Sequence, residues 1–320
     1  MTNNTITNTE YFDIQRKIVA NMTSQSWHDV PHVSYMYEAD VSDFLTVFRL
    51  LNDERAKKDR ISLNTLSLKI ISEAIKEAPE MNAHIEFNRK FVKGRIDTIE
   101  EINISMPMIL PNGKMMTVNL HDFGNKSLDE MTRYINDIRR RSVNTDLNEA
   151  MFEVSFNDTI KALKKGEFRK AADRLLGSKL GKHRVKTLHG NAKKEYYAIP
   201  ESERLTAKDL EQGTITVSNI GSVCRSANGA PSLIEIVPPQ VCAFAIGAVS
   251  EKPVVRTGAD GRKKTEVGTV LPITVCFDHR ALDFGDIVPF INKLDEIFAS
   301  PEILLKWFGK DETEISVISA

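Results

Sequence analysis

Residues 271–285, LPITVCFDHRALDFG, constrain this chain more than any other stretch. Ile273, Val275 and Phe277 alternate with Thr274 and Cys276, and Val270 and Leu271 lengthen the apolar run, the pattern of a buried strand. The run passes without a break into Asp278, His279 and Arg280, with Asp283 four residues beyond the histidine. Ile287, Phe290, Ile291, Leu294, Ile297 and Phe298 then recur at helical spacing. Strand, polar loop and helix in that order put an imidazole at the edge of a sheet, a rigid mount for a general base.

The rest of the composition narrows the class. The 320 residues are 41% hydrophobic and 27% charged, as in an ordinary globular protein. A net charge of −1 gives no overall attraction to nucleic acid. Cys224, Cys242 and Cys276 lie far apart with no CxxC pair, so neither disulfides nor a metal site is expected. Cys242 and Cys276 read as small apolar strand residues. Cys224 stands in a polar loop with no histidine next to it in sequence. The start, MTNNTITNTEY, lacks the basic and apolar regions of a signal peptide. No apolar run approaches the roughly 20 residues of a membrane span. A cytoplasmic chain with no integral membrane segment is expected.

Taken in order, residues 1–10 read as a disordered tail. Residues 12–27 have helical spacing, broken at His28-Asp29-Val30-Pro31. Residues 33–41 read as a strand, and Asp43 as the cap of the helix that follows. Residues 62–78 predict an amphipathic helix ending before Pro79. Residues 84–91 predict a hairpin turning at Asn88-Arg89. Two strands, 102–108 and 115–120, flank the turn Pro111-Asn112-Gly113. Helices are expected at 127–141, 147–165 and 168–176.

The loop DHRALD resembles the DHRxxDG signature of the acyltransferase (E2) components of 2-oxoacid dehydrogenase complexes, whose HxxxDG core the chloramphenicol acetyltransferases share. Phe284 stands where that family has glycine, and Gly285 follows one place later. Five further blocks are similar to the same family in the same order: FDIQRKIVANMTSQSWHDVPHVSYMYEADVS, EAPEMNAHIE, INISMPMILPNGKMMTVNLHDFGNKSLDEM, LTAKDLEQGTITVSNIGS and PPQVCAFAIGAVSEKPVV. The resemblance implies a two-layer α/β sandwich of the chloramphenicol acetyltransferase type over residues 11–320. It also implies a homotrimer or an assembly of trimers, with the active site in a channel between subunits.

The resemblance implies acyl transfer between coenzyme A and a thiol of the dihydrolipoamide type, in a ternary complex without an acyl-enzyme. A free thiol is only about 3% ionised at pH 7. A positioned imidazole can take its proton as attack occurs, for about 10²–10⁴-fold in rate. His279 is the implied base. Ser218, in TVSNIG, matches the family's oxyanion-stabilising serine or threonine. Asp283 matches a structural carboxylate that the family pairs with an arginine, for which Arg16 and Arg280 both offer themselves. His32, after Pro31, and the other histidines are assigned no role. Coenzyme A enters as acyl-CoA substrate, and acyl chain length is left open. The lipoyl and peripheral-subunit-binding modules of such components have no counterpart here, so a lipoyl group is expected from another protein.

Residues 142–203 have no counterpart in those blocks and read as a basic helical insertion. From position 161 to 194 there are nine Lys, three Arg and two acidic residues, a local net charge of +10. This excess fits a solvated excursion or the docking of a lipoyl-bearing or acidic protein partner, a membrane surface or coenzyme phosphates. No aromatic pattern for stacking bases interleaves it, which argues against nucleic acid. Two other readings stand beside acyl transfer to a thiol: an O- or N-acyltransferase acting on a small molecule, and a catalytically inactive trimeric scaffold.

Overall fold

The structure is a computed structural model that describes residues 7–110, 113, 115–164, 166, 168, 169, 172, 184–225, 229–258 and 260–310. Contacts divide the chain into two units, residues 1–24 with 138–211 and residues 25–137 with 212–320. Helix α1 (Ile14–Asp29) begins in the first unit and ends in the second. There follow β1 (His32–Asp40), α2 (Ser42–Asp53), α3 (Leu63–Lys76), β2 (Ala83–Asn88), β3 (Lys93–Thr98), β4 (Ile104–Ile109) and β5 (Met115–Leu120). Helix α4 (Leu128–Ser142) leads back to the first unit, which holds α5 (Leu147–Lys164), α6 (Gly190–Ala198) and the single turn α7 (Ala207–Leu210). The second unit resumes with β6 (Ile215–Asn219), β7 (Cys242–Ile246), β8 (Ser250–Thr257), β9 (Lys263–Asp278), α8 (Phe284–Ala299) and α9 (Ile303–Phe308).

Most elements stand where the sequence put them, and the departures have local causes. Helix α3 starts at its expected cap, with the Ser62 hydroxyl accepting from Thr65 N at 3.1 Å. Asp43 is not a cap. Helix α2 begins two residues earlier, at Ser42, where Asp40 Oδ1 accepts from both Ser42 N (3.1 Å) and Ser42 Oγ (2.5 Å). The hairpin expected at 84–91 is longer: its turn covers 89–92 and its second strand is β3, paired Asn88↔Lys93 through Ala83↔Thr98. Residues 111 and 112 of the turn between β4 and β5 lie outside the described residues; Gly113 has the positive φ of 78° that suits glycine. The helix expected at 168–176 and the tail at 1–10 lie largely outside them as well.

Seven strands form one sheet in the order β1-β9-β7-β6-β4-β5, with β8 also paired to β9. Strands β4, β6 and β7 run parallel to one another, while β1, β5, β8 and β9 join antiparallel. The register gives the sheet two chemically distinct faces. One carries Ile104, Met106, Val217, Phe244, Val275 and Tyr37. It is packed under helices: the Phe244 ring lies 5.1 Å from Phe290 of α8, and Tyr37 stacks on Phe298 at 6.4 Å. The other face carries small and polar residues: Asn119, Ser105, Thr216, Ser218, Ala243, Ala245, Thr274 and Cys276. Residues 231–237 cross part of this face. Pro231 O accepts from the Thr274 hydroxyl, and Ile236 packs on Ala243 and Cys276. Buried Gln240 bridges Thr216 Oγ1 (2.7 Å) and Gly213 O (2.8 Å).

The first unit is held by polar latches. Arg141 makes a two-pronged pair with Asp209, at 2.8 and 2.9 Å. Glu149 is 1% exposed and receives Lys193 Nζ at 2.8 Å, Leu188 N at 3.0 Å and the Tyr197 hydroxyl at 3.2 Å. The Arg204 guanidinium lies over both the Tyr196 and Tyr197 rings, at 5.1 and 5.2 Å. Helix α6, GNAKKEYYA, gives no amphipathic signal in sequence, and these polar contacts are what fasten it. Burial raises the Asp209 carboxyl, but Arg141 and Thr206 outweigh it and hold it below the ordinary range. Glu149 is likewise raised by burial and brought below the ordinary value by Lys193, Leu188 N–H and Tyr197.

Candidate functional site

Strand β9 ends in a tied-down turn. Asp278 N donates to Val241 O at 2.8 Å and His279 N to Pro31 O at 3.1 Å. The chain then folds back, with Ala281 N and Leu282 N both donating to Asp278 O, at 2.9 and 3.1 Å. The Asp278 carboxylate is fully buried. It accepts from Arg280 N (2.9 Å), Arg280 Nε (3.0 Å) and Arg280 Nη2 (2.6 Å). Of the two arginines that sequence offered Asp283, Arg280 is therefore spoken for by Asp278.

His279 projects from this turn, half-exposed. Its Nδ1 lies 3.1 Å from Leu282 O and 3.3 Å from Asp283 Oδ1. A carbonyl only accepts, so Nδ1 carries the hydrogen and Nε2 keeps the lone pair. That is the tautomer a base needs, held by the loop's own backbone. The ring also stands edge-on to Phe277 at 5.8 Å. Asp283 precedes the first residue of α8 in extended conformation, and its N–H goes to Asp286 Oδ2 at 2.7 Å. Asp283 is thus the N-cap of α8, in a reciprocal capping box with Asp286, and its carboxylate also faces the imidazole.

Phe284, in the place of the family's glycine, is the first residue of α8, and it is not among the described residues at positive φ. Gly285 is not at positive φ either. The backbone needs no glycine here. The half-exposed Phe284 ring packs edge-on against Phe277 at 5.3 Å.

Ser218 is the fourth residue of β6, half-buried on the polar face of the sheet. The turn behind it is closely fixed. Asn219 Oδ1 accepts from Ser222 N at 2.9 Å, and Asn219 Nδ2 donates to Asn64 Oδ1 at 3.2 Å. Gly221 packs against the end of β7, where an added Cβ would meet Gly247 O at 2.4 Å. Ser218 pairs with Ala245, and Ala245 with Thr274. His279 lies five residues past Thr274. Five residues of extended chain and two strand spacings separate Ser218 from His279 by roughly 20 Å. Within one chain the structure brings His279 and Asp283 together and leaves Ser218 apart.

Other candidates settle into structural places. Half-buried His32 donates from Nδ1 to Val30 O at 2.8 Å and accepts from Ile236 N at 3.1 Å. Cys242 and Cys276 are buried in β7 and β9, where burial pushes both thiols up. Cys224 is exposed. Among the described residues no group of three or more His, Cys, Asp and Glu is placed to hold a metal, and no helix is long and apolar enough to cross a membrane. Sequence reasoning missed Phe87, whose ring lies 5.7 Å from the Arg280 guanidinium. Nothing in the sequence connects positions 87 and 280.

The model of the 2-oxoacid dehydrogenases acyltransferase catalytic domain matches residues 3–156 and 191–306. The dihydrolipoyllysine-residue acetyltransferase component of a Staphylococcus epidermidis pyruvate dehydrogenase complex is 24% identical over 300 residues, covering 93% of this chain and 52% of the relative. The same component from Rickettsia felis is 20% identical over 293 residues, 91% of this chain and 53% of the relative. The chain thus spans about half the length of these curated relatives. Among solved structures, an Azotobacter vinelandii dihydrolipoamide acetyltransferase, studied for the role of a serine, a histidine and an asparagine in its catalytic mechanism, matches with a TM-score of 0.63 at 17% identity over 95% of both chains. The cubic core of a pyruvate dehydrogenase multienzyme complex matches with a TM-score of 0.62 at 18% identity, again over 95% of both. The α/β fold is that of these cores, as the resemblance implied.

Proposed function

The chain belongs to the acyltransferase catalytic-domain family of the 2-oxoacid dehydrogenases, and on that premise we propose that it moves an acyl group between coenzyme A and a dihydrolipoyl thiol carried by another protein. The observation that carries the reading is the Nδ1–Leu282 O hydrogen bond, which leaves His279 Nε2 free to take a thiol proton at a half-exposed sheet edge. The freed sulfur then attacks the thioester of the other substrate. As the thioester carbonyl becomes tetrahedral, the Ser218 hydroxyl donates to its oxygen, a contribution of about 10²–10³-fold. Collapse expels the second thiolate, which recovers the proton from the imidazolium. Asp283, 3.3 Å from Nδ1, stabilises that imidazolium. In the Azotobacter enzyme the histidine and asparagine under study stand four residues apart, the spacing of His279 and Asp283.

The separation of Ser218 from His279 favours a site shared between neighbouring subunits of a homotrimer, with the base from one chain and the oxyanion donor from the next. Residues 11–320 form the catalytic domain on this reading. The insertion expected at about 142–203 centres on residues 157–190, which the family model leaves unmatched, its basic stretch meets an acidic partner, and the protein works in the cytoplasm. A thiol-release assay with a panel of acyl-CoAs tests the activity. Release that depends on added dihydrolipoamide is expected. A correctly assembled protein that turns over no acyl-CoA with dihydrolipoamide would leave the scaffold reading standing instead.

A further inference from the structure

The β2–β3 ribbon stands beside the loop that carries His279. Ile85 N donates to Pro239 O at 2.9 Å, His84 bridges to Gln240, and the neighbouring Val241 O accepts from Asp278 N. From this ribbon Phe87 extends its ring to the Arg280 guanidinium, 5.7 Å from the ring centroid. The opposite strand makes room for it. Gly94 pairs with Phe87, and a Cβ at Gly94 would meet Phe87 Cδ2 at 3.3 Å and Glu86 O at 2.6 Å.

We propose that Phe87 is a positioning residue for His279, acting through Arg280 and Asp278. The ring offers its negative face to the guanidinium, an attraction that is strongest where water is partly excluded. Arg280 is mostly buried, and its planar fork has only one orientation in which Nε and Nη2 both reach Asp278. Asp278 in turn binds the Arg280 backbone N–H, and its carbonyl accepts from Ala281 and Leu282. These bonds set where Leu282 O lies, and Leu282 O is the acceptor that fixes the imidazole's tautomer and direction. A change of the Phe87 face therefore reaches the base through a turn of five residues without touching substrate. A misplacement of the order of 1 Å at a reacting group can cost about 10²-fold, so a partial loss of aim on this scale is measurable.

This inference rests on His279 being the base, and the test separates the two claims. Phe87→Leu keeps an apolar side chain and removes the aromatic face. Gly94→Ala disturbs the ring from the other strand. Both should lower kcat by about 10-fold, with the KM for acyl-CoA and for free dihydrolipoamide within about two-fold of the parent. Phe87→Trp, which keeps a face, should retain most of kcat. Ring ¹⁵N spectra, with the His279 signals assigned by their loss in His279→Ala, should show a pure Nδ1–H tautomer in the parent and in Phe87→Trp. They should show a mixture in Phe87→Leu and Gly94→Ala. An unchanged tautomer in folded Phe87→Leu, or equal loss of kcat in Phe87→Leu and Phe87→Trp, would overturn the assignment. A parent protein without turnover would sink the proposed activity, while the spectra would still decide the role of Phe87.

Discussion

Ser218 and His279 belong to one sheet but to opposite ends of its strands, since Ser218 shares a level with Ala245 and Thr274 while His279 lies beyond Phe277 and Cys242. The two groups cannot serve one carbonyl from the same chain. On the proposed function, Ser218 and His279 are halves of a site contributed by different chains, and several consequences can be measured.

His279→Ala should lower turnover by at least about 10²-fold while leaving the assembly intact. The side chain is half-exposed and its loss disturbs no packed layer. Turnover near that of the parent, in a variant of unchanged sedimentation, would remove His279 as the base.

Phe284→Gly, which restores the residue of the family signature, should not raise activity. Phe284 already has an ordinary backbone, and its ring covers Phe277. Losing that half-buried ring should cost about 1–2 kcal/mol, read by denaturant unfolding, with kcat within about two-fold. A several-fold rise in kcat would show that the phenylalanine distorts the loop after all.

Arg280→Met should be much more damaging than its surface position in sequence implies. It strands the fully buried Asp278 carboxylate, at a cost of about 3 kcal/mol because the arginine itself is partly exposed. Asp278→Asn combined with Arg280→Met should recover part of that loss. A single variant as stable as the parent would mean that the pair contributes little.

The sequence made much of this legible. The strand–loop–helix carrying His279, the cap at Ser62 and the elements from α1 to α5 other than β3 follow from alternation, spacing and turn chemistry. What it could not supply was partnership across space. Asp278 and Asp283 are both close to Arg280 in sequence, and only the turn decides for Asp278. Strand β3, KGRIDT, is exposed along its whole length, so no alternation marked it. Helix α6 is fastened by Glu149 and a tyrosine–arginine stack rather than by an apolar face. The shift of α2 to Ser42 comes from Asp40 binding Ser42, a contact that a strand's last residue does not advertise.

Acid should loosen the first unit around Glu149 and Asp209, as it should the second around Asp40 and Glu73, which are also held below their ordinary values. Glu149 and Asp209 both titrate below their ordinary values in the folded chain. Their stabilisation is complete above the unfolded carboxylate pKa of about 4 and is lost as pH falls through the lower folded values. Hydrogen exchange within residues 138–164 and 184–211, corrected for its intrinsic pH dependence, should therefore accelerate between pH 6 and 3. Asp209→Asn should flatten that dependence. The same dependence in the parent and in Asp209→Asn would contradict this account.

Mixed trimers test the central claim most directly. His279→Ala and Ser218→Ala chains are each expected to be weak alone. In a cyclic trimer with two chains of one variant and one of the other, one interface joins an intact His279 to an intact Ser218. Co-refolding the two should restore activity up to about one site in three. A site built within a single chain would always contain one lesion. Verified mixed trimers that recover no turnover would contradict the shared site and with it the role given to Ser218.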